Sequence, residues 1–243
     1  MSFLTAQWKN LIMANYAINP KHLKKYIPAG TELDFWNGNC YISLVGFLFE
    51  DTKVLGFKIP KHTDFEEVNL RFYVKRFENG EWKRGVVFIQ EIVPKKAITF
   101  VANTFYKEHY KTLVMQHQSK LEAEILKVSY SWENQKKTNY INVNAYDFCC
   151  ETEEGSEAEF IMEHYFGYTK YNEKETYEYE VKHPKWKHYF IKNHDINVDF
   201  KSTYGKDFAF LNQLQPVSVF LAEGSEIEVE NKRKITQNGN CKS

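Results

Sequence analysis

Apolar and polar residues alternate along most of the chain, and a period of two residues is typical of β-strands with one buried face. Asn, Gly and Pro residues separate the alternating runs and mark the turns between them. The strands predicted from this pattern cover residues 5–18, 68–77, 82–93, 121–133, 138–148, 175–183, 196–202, 216–222 and 226–233. A chain with so many closely spaced strands is expected to form a sheet that curls or closes on itself.

Two Asn-Gly dipeptides predict β-hairpins. Asn37-Gly38 lies between the runs ELDFW and NCYISLVGFLFE, and Asn79-Gly80 lies between the second and third predicted strands. Asn and Gly tolerate the positive φ angles that a two-residue hairpin turn requires. Pairing about Asn79-Gly80 places Arg71 opposite a residue near position 88 of the partner strand.

Short helices interrupt the strands. One is predicted after Asn19-Pro20, because a proline following an N-cap residue favours the first turn of a helix. Apolar residues at helical spacing predict an amphipathic helix over residues 96–105. Ser156 and Glu159 have the spacing of a capping box, which predicts a helix over residues 157–166.

No repeat, low-complexity tract or Gly/Ser/Pro linker divides the sequence. We therefore expect a single α+β domain, mainly antiparallel, over residues 1–233, followed by a frayed C-terminal tail over 234–243. Aromatic residues make up 16% of the 243 residues. Since aromatic side chains favour pleated, half-buried surfaces, this content supports a β-rich fold.

Lysine plus arginine and aspartate plus glutamate each number 32, so the formal net charge is zero. This balance argues against nucleic acid or an anionic membrane surface as a partner, because both are usually bound by an excess of basic residues. No apolar run approaches the ~20 residues of a membrane span, and no signal peptide is visible. The cysteines lack metal-ligand spacing, which suits free thiols in a reducing compartment. We expect a cytoplasmic protein that uses neither a metal nor a cofactor.

Four polar residues share one face of the predicted strand VNLRFYVKRF. Asn69, Arg71, Tyr73 and Lys75 alternate there with apolar residues that occupy the other face. The chain has 28 lysines and four arginines, so an arginine in mid-strand indicates a need for a planar, bidentate donor. Its acceptor is either a carboxylate of the protein or one of a ligand; a solvated outer face is the remaining alternative.

The partner strand GVVFIQEIV contains an isolated carboxyl group. Glu91 alternates with Val87, Ile89 and Val93, so it is expected to lie among buried side chains. A buried carboxyl group either pairs with a cation or has a raised pKa that suits acid/base chemistry. The residues favour the first alternative, an ion pair with Arg71.

The segment FYKEHYK contains Tyr106, Glu108 and Tyr110 in alternation. Two phenols and a carboxyl group on one side of an extended segment could line a pocket for a small polar ligand. Aromatic packing with Glu108 in solvent is the alternative. Lys107 and Lys111 lie in the same segment, and a lysine whose pKa is lowered by its surroundings can form a Schiff base.

These segments resemble the uncharacterised YqjF-like family. The residues that carry the likeness near the N-terminus are Trp8, Leu11, Met13, Asn19, Pro20, Leu23, Ile27, Pro28, Ala29, Gly30, Glu32, Leu33 and Asp34. The likeness continues through YISLVGFLF, FEEVNLRFYV, RGVVFIQEIVPKKAI, the alternating tyrosine segment and Glu163-His164-Tyr165, and spans roughly residues 5–225.

That family resembles, more distantly, the acetoacetate decarboxylases. The resemblance implies a large antiparallel sheet curled into a cone or barrel around a ligand cavity, with a few helices packed outside. The decarboxylases use a Schiff-base lysine followed by a second lysine, just after a tyrosine and a proline. If Tyr110 is laid on that tyrosine, the lysine pair falls on Thr112 and Leu113. The resemblance therefore implies the fold more strongly than it implies the Schiff-base chemistry.

The first function that we consider is binding of a small organic acid inside the curled sheet. Arg71 would be the anion anchor, and the other ligand-binding residues would be Asn69, Tyr73, Tyr106 and Tyr110.

Two further functions use the same scaffold differently. One is a lyase or decarboxylase-like enzyme, with Glu91 or Glu108 as the general acid/base and Lys111 as an imine former. The other is a homo-oligomeric interaction protein without catalysis, whose aromatic residues would cover the interface.

Overall fold

The computed structural model describes residues 2–236, with the side chains of residues 105 and 106 excepted. Its strands are β1 (Leu4–Ile18), β2 (Glu32–Leu33), β3 (Cys40–Val54), β4 (Phe57–Lys58), β5 (Phe65–Glu78), β6 (Glu81–Val93), β7 (Tyr110–Thr112), β8 (Met115–Glu122), β9 (Ile125–Asn134), β10 (Lys137–Cys150), β11 (Phe166–Lys170), β12 (Glu175–Lys182), β13 (His188–Asn197), β14 (Ser218–Val229) and β15 (Arg233–Thr236). Its α-helices are α1 (Lys96–Val101), α2 (Glu157–Met162) and α3 (Phe200–Tyr204). A π-helical turn over Ala102–Tyr106 continues α1, and 3₁₀-helical turns cover Pro20–His22, Lys24–Tyr26 and Lys206–Gln213.

Hydrogen bonds between strands form a closed ring. The order is β1–β3–β5–β6–β11–β12–β14, and β14 pairs with β1 again. Every pair of neighbours in this ring is antiparallel except β6 and β11. The ring closes where Val181 and Lys182 of β12 pair with Val229 and Glu228 of β14. The predicted curled, mainly antiparallel sheet is therefore confirmed.

The sheet continues from β14 through β13, β10, β9 and β8. Side chains of β9 and β10, such as Tyr130 and Ile141, pack against Ile12, Leu44 and Leu70 on the outer face of the ring strands. We call this apolar cluster the outer core. Because a second cluster fills the opposite face, β1, β3 and β5 are covered on both sides, as expected for nearly continuous apolar runs.

The second cluster lies inside the ring and is called here the inner core. It joins Met13, Val45 and Tyr73 of the ring strands to Phe160 and Ile161 of α2. The short helix α2 therefore fills part of the barrel, and the rest of the interior is open to a cavity. Its N-terminus follows the predicted capping, since the Ser156 hydroxyl accepts a hydrogen bond from the Glu159 backbone N–H at 3.1 Å.

The hairpin predicted at Asn79-Gly80 is confirmed. Asn79 and Gly80 have φ angles of 55° and 86°, and Glu78 pairs with Glu81 across the turn. The predicted register is confirmed as well, since Arg71 pairs with Phe88.

The hairpin predicted at Asn37-Gly38 is largely wrong. The turn itself forms, with φ angles of 47° and 79°, but its arms share only an isolated bridge between Trp36 and Asn39. The preceding strand β2 pairs with β5 instead. Backbone pairing with the long central strand competed successfully with the local turn.

Several predicted boundaries also need correction. Residues 121–133 divide into β8 and β9, because Ala123 and Glu124 form a turn with positive φ angles. The strand predicted over 196–202 ends at Asn197, and the Asp199 side chain caps α3 by accepting a hydrogen bond from the Ser202 N–H. The strands predicted over 216–222 and 226–233 form the single strand β14 and part of β15.

Other differences lie nearer the C-terminal half. The helix predicted over 157–166 ends at Met162, because residues from Phe166 onward join the ring as β11. The frayed tail was expected to begin at residue 234, but β15 pairs with β12 through Thr236. Residues 237–243, which include Cys241, lie outside the described residues.

Two smaller expectations concern helices and thiols. The described helical segments all fall short of the length and hydrophobicity that a membrane-spanning helix needs. Cys40 is a buried free thiol, and Cys149 and Cys150 are free and partly exposed.

Candidate functional site

A cavity of about 380 Å³ lies inside the strand ring. Most of its wall is aromatic or aliphatic and includes the α1 residues Ala97, Ile98 and Val101. The polar lining residues are Thr52, His62, Glu67, Asn69, Arg71, Glu91, Glu108, Tyr110, His164, Tyr179 and His183. A concave, mainly apolar site with a few convergent polar groups is the usual form of a small-molecule site.

Strand β5 supplies three of these polar groups. Glu67, Asn69 and Arg71 alternate along the strand and face the cavity, whereas Val68 and Leu70 belong to the outer core. The predicted separation of the two faces is confirmed, and the polar face points into the ring rather than into solvent.

A β-bulge in β6 sets the position of Glu91. Leu70 pairs with Gln90 while Arg71 pairs with Phe88, so Ile89 is an extra residue without a partner on β5. The bulge reverses the alternation, so that Phe88 and Glu91 both line the cavity. Glu91 is buried as predicted, but the bulge separates it from the face of Val87 and Ile89.

The ion pair expected between Arg71 and Glu91 does not form. The bulge places Glu91 opposite Asn69, two positions along β5 from Arg71. The Arg71 guanidinium instead contacts the Ile161 carbonyl oxygen at 3.4 Å and the Met13 sulfur at 3.9 Å. Arg71 is 8% exposed, and its Nε has no hydrogen-bond partner among the described residues. A buried cation with an open N–H donor remains at the cavity wall.

Three carboxyl groups face the same cavity. Glu67 accepts hydrogen bonds from Asn69 Nδ2 at 3.0 Å and from the Tyr110 hydroxyl at 3.1 Å, and Glu108 accepts one from Thr169 Oγ1 at 2.5 Å. Burial raises the pKa of Glu67 and of Glu108 to about 7. Burial also raises the pKa of Glu91 well above its ordinary value, and the nearby charges of Glu108 and Glu67 raise it further.

Tyr110 reaches the cavity because the segment before it is fixed to its backbone. The Asn103 side chain donates to the Tyr110 carbonyl at 2.9 Å and accepts from its N–H at 2.7 Å. Strand β7 then pairs Tyr110 with Glu91 of β6. The alternation predicted for this segment therefore brings Glu108 and Tyr110 to one site.

Tyr179 forms the wall next to Glu108 and depends on a glycine. It pairs with Gly167 across β11 and β12. A Cβ atom on Gly167 would lie 2.1 Å from the Tyr179 ring, so the ring can cross the strand only over a glycine. Burial, and then the charge of Glu108, raise the pKa of Tyr179 well above its ordinary value.

Two histidines complete the polar wall, and burial lowers the pKa of each to about 4. His164 Nε2 lies 3.4 Å from Asp34 Oδ2, and the His183 ring stacks on Trp186 with 4.1 Å between centroids. Both rings are neutral at pH 7. Neither of these two rings therefore adds a positive charge beside Arg71.

The structure separates the predicted site residues into two groups. Asn69, Arg71, Glu91, Glu108 and Tyr110 all line the cavity.

The other predicted residues lie elsewhere. The Tyr73 hydroxyl lies 2.7 Å from Ser43 Oγ and Tyr73 does not line the cavity. Lys111 Nζ donates to Asn134 Oδ1 at 3.3 Å, away from the cavity, and Lys107 is exposed. The side chain of Tyr106 lies outside the described part of the structure.

The sequence pattern did not single out Glu67, Tyr179, His164 or His183 as site residues. Glu67 could have been found, because it has the same alternation as Asn69 and Arg71. Tyr179 carries no such signal, since its place depends on the long-range closure of the ring. No cluster of three or more metal-ligating residues is found in the described part of the chain.

A closed, mostly antiparallel sheet around an internal cavity is the architecture of the acetoacetate-decarboxylase-like enzymes. The structure matches acetoacetate decarboxylase from Legionella pneumophila with a TM-score of 0.64 and 10% identity, covering 96% of this chain and 87% of that chain. It matches the enduracididine biosynthesis enzyme MppR, in a complex with pyruvate, with a TM-score of 0.68 and 10% identity, covering 98% of this chain and 92% of that chain. At these identities the likeness concerns the fold.

The family follows from sequence. A family model described as "Uncharacterized conserved protein (COG2071)" matches residues 5–226, and the chain belongs to this family, DUF2071. The uncharacterized protein YqjF of Bacillus subtilis (strain 168) is 25% identical over 180 residues, which are 74% of this chain and 72% of YqjF. The predicted YqjF-like membership is thus confirmed.

Proposed function

We propose that this protein binds a small organic acid in the cavity and holds the acid's carboxylate on Arg71. The observation that carries the proposal is the buried Arg71 guanidinium, which lines the cavity, forms no ion pair with a described carboxylate and has an unpartnered Nε. A buried charge is normally paired, so a ligand carboxylate would supply the missing partner. The complex of MppR with pyruvate supports this proposal, because pyruvate is a small carboxylate and MppR has the same fold.

The surrounding wall supports a ligand of modest size. A cavity of about 380 Å³ lies near the lower end of the range for small-molecule sites. Its apolar wall would cover the hydrocarbon part of an acid, and the neutral His164 and His183 would not compete with Arg71 for the carboxylate.

The test is calorimetric titration of the protein with pyruvate, acetoacetate and short fatty acids, followed by the same titrations with Arg71→Gln. A charge-assisted hydrogen bond contributes about 1.5–3 kcal/mol, so the substitution should weaken binding by roughly 10- to 100-fold. Arg233→Gln is the control, because Arg233 pairs with Glu78 and Glu178 outside the cavity. Unchanged binding by a folded Arg71→Gln protein would refute the anchor.

An enzyme on the same scaffold is the second candidate. It is favoured by Glu108 and Glu91, whose raised pKa values suit a general acid or base near neutral pH. The imine route has less support, because no lysine is found among the described lining residues.

A further inference from the structure

Two buried oxygen atoms at the cavity have no hydrogen-bond partner. Asn69 Oδ1 and Glu91 Oε2 are both unpartnered within the described structure, and the two residues are only 1% and 3% exposed. Asn69 Nδ2 donates to Glu67, so the amide oxygen is the atom left open. Asn69 and Glu91 face each other across β5 and β6, which places both oxygens at one point of the wall.

The hydroxyl groups nearby are already engaged. The Tyr110 hydroxyl lies beside both Glu67 and Glu91 and donates its single proton to Glu67. Thr169 donates to Glu108, and Tyr179 also lies beside Glu108. An unsatisfied buried acceptor is costly, by about 1–3 kcal/mol. In the ligand-free cavity a protonated Glu91 can donate its own proton toward Asn69 Oδ1, and a ligand N–H group that displaces this proton would supply donors to both oxygens.

The charges of the wall indicate which kind of donor fits. Glu67, Glu91 and Glu108 surround this point. Arg71 is the one arginine or lysine among the described lining residues, and the charge of Lys232 acts on Glu108 from nearby. A simple carboxylate would neutralise Arg71 and supply no donor to Asn69 Oδ1 or Glu91 Oε2. A ligand nitrogen that carries a positive charge would supply both N–H donors and the counter-charge.

We propose that the bound acid carries an ammonium group, which donates hydrogen bonds to Asn69 Oδ1 and Glu91 Oε2 while its carboxylate binds Arg71. The inference rests on the proposed function and narrows its ligand to short amino acids. Positions 69 and 71 are neighbours on one face of β5, about 7 Å apart along the strand. A short aliphatic spacer between carboxylate and nitrogen spans that distance.

Proton release would accompany binding. Burial keeps the Glu91 pKa well above its ordinary value, and an ammonium group placed beside it would lower that pKa. Glu108, Glu67 and Tyr110 act on Glu91: the charges of the two carboxyl groups raise its pKa, and the Tyr110 hydroxyl lowers it without carrying a positive charge. A cationic ligand therefore drives a proton from the carboxyl cluster into solvent.

The test compares γ-aminobutyrate, butyrate and butylamine, which share a hydrocarbon chain and differ only in their charged ends. Calorimetric titrations at pH 7 in phosphate and in Tris separate binding from proton release, since these buffers differ in ionisation enthalpy. We expect γ-aminobutyrate to bind at least tenfold more tightly than either other compound and to release protons.

The other outcomes distinguish the two proposals. If butyrate binds as tightly as γ-aminobutyrate and Arg71→Gln abolishes both, the organic-acid site stands and the ammonium site is refuted. If none of the three compounds binds, the ammonium site is refuted as well, and the titrations with keto acids decide the proposed function alone.

A matched pair of variants tests the residues. Glu91→Gln keeps the shape of the side chain and removes the charge that the ammonium group would induce. This variant should lose the preference for γ-aminobutyrate and the proton release, and it should keep Arg71-dependent binding of butyrate. Glu66→Gln is the control, because Glu66 does not line the cavity and contacts His117 at 2.7 Å. If Glu91→Gln kept the preference, the assignment would be wrong.

Discussion

Glu67, Glu91 and Glu108 place three carboxyl groups in one apolar cavity, and burial raises the pKa of each. Hydrogen bonds from Asn69, Tyr110 and Thr169 only partly offset this effect for Glu67 and Glu108. The three carboxyl groups of the ligand-free site therefore stay protonated to a higher pH than ordinary glutamates do. The acids favour the folded state while they are neutral and oppose it once they ionise.

The first prediction is an unusual dependence of stability on pH. A carboxyl group whose folded pKa is raised stabilises the fold below its unfolded pKa, and this contribution is lost as the pH rises. For Glu67 the loss begins near pH 4.5 and is complete just above its folded pKa of about 7. Its size is on the order of 3 kcal/mol for a carboxyl group that titrates over this window.

Urea denaturation at pH 5 and at pH 8 measures this dependence. Glu67→Gln should be more stable than the parent at pH 8 and should flatten the profile. Glu81→Gln, at the exposed turn of the β5–β6 hairpin, should leave the profile unchanged. A parent that gained stability steadily from pH 5 to pH 8, with the same slope in Glu67→Gln, would show that the buried acids do not govern it.

At the scale of elements, the bulge at Ile89 decides which side chains of β6 enter the cavity. If the pairing that begins at Asn79-Gly80 continued without an extra residue, Glu91 would lie opposite Val68 and face the outer core. The bulge restores the match between the polar faces of β5 and β6.

Removing the bulge residue should therefore be tolerated. Deletion of Ile89 leaves Arg71 opposite Phe88 and Asn69 opposite Glu91, so it should retain the fold and cost only about 1–2 kcal/mol of lost side-chain burial. Deletion of Val87 with an unchanged turn places Phe88 opposite Phe72 and Ile89 opposite Arg71, so that Phe88 turns from the cavity to the outer core and Ile89 turns into the cavity. Urea denaturation should show that this second variant is much less stable, and equal losses for the two deletions would contradict the role of the bulge.

The bulge also shows where sequence-based prediction of this protein reaches its limit. The turn residues at Asn79-Gly80 and the alternation of β5 sufficed to predict the hairpin, the Arg71–Phe88 register and the shared face of Asn69 and Arg71. They did not suggest the extra residue at position 89, nor the contacts with Met13 and Ile161 that Arg71 makes in place of the expected ion pair. The hairpin predicted at Asn37-Gly38 is wrong because β2 pairs with β5, which is distant in sequence, rather than with the strand that follows its own turn.

For the whole molecule, ring closure determines the site. Tyr179 and Gly167 reach the cavity only because β11 pairs in parallel with β6 and β12 pairs with β14. Such contacts join parts of the chain far apart in sequence, which is why alternation predicted Glu108 and Tyr110 and did not predict Tyr179. The same closed sheet is shared with acetoacetate decarboxylase from Legionella pneumophila, whereas chemistry depends on the residues that each chain places inside it.

The last prediction concerns that chemistry. An imine requires a lysine amine within reach of a bound carbonyl carbon, and the described cavity wall contains carboxyl groups, phenols, an arginine and histidines but no lysine. Incubation with pyruvate or acetoacetate and borohydride should therefore leave the intact mass of the protein unchanged, while calorimetry still detects Arg71-dependent binding. Butyrate, which has no carbonyl carbon able to form an imine, provides the background for the mass measurement. A single reduced adduct on any lysine that disappears in Arg71→Gln would instead make this protein an imine-forming enzyme, with the arginine orienting its substrate.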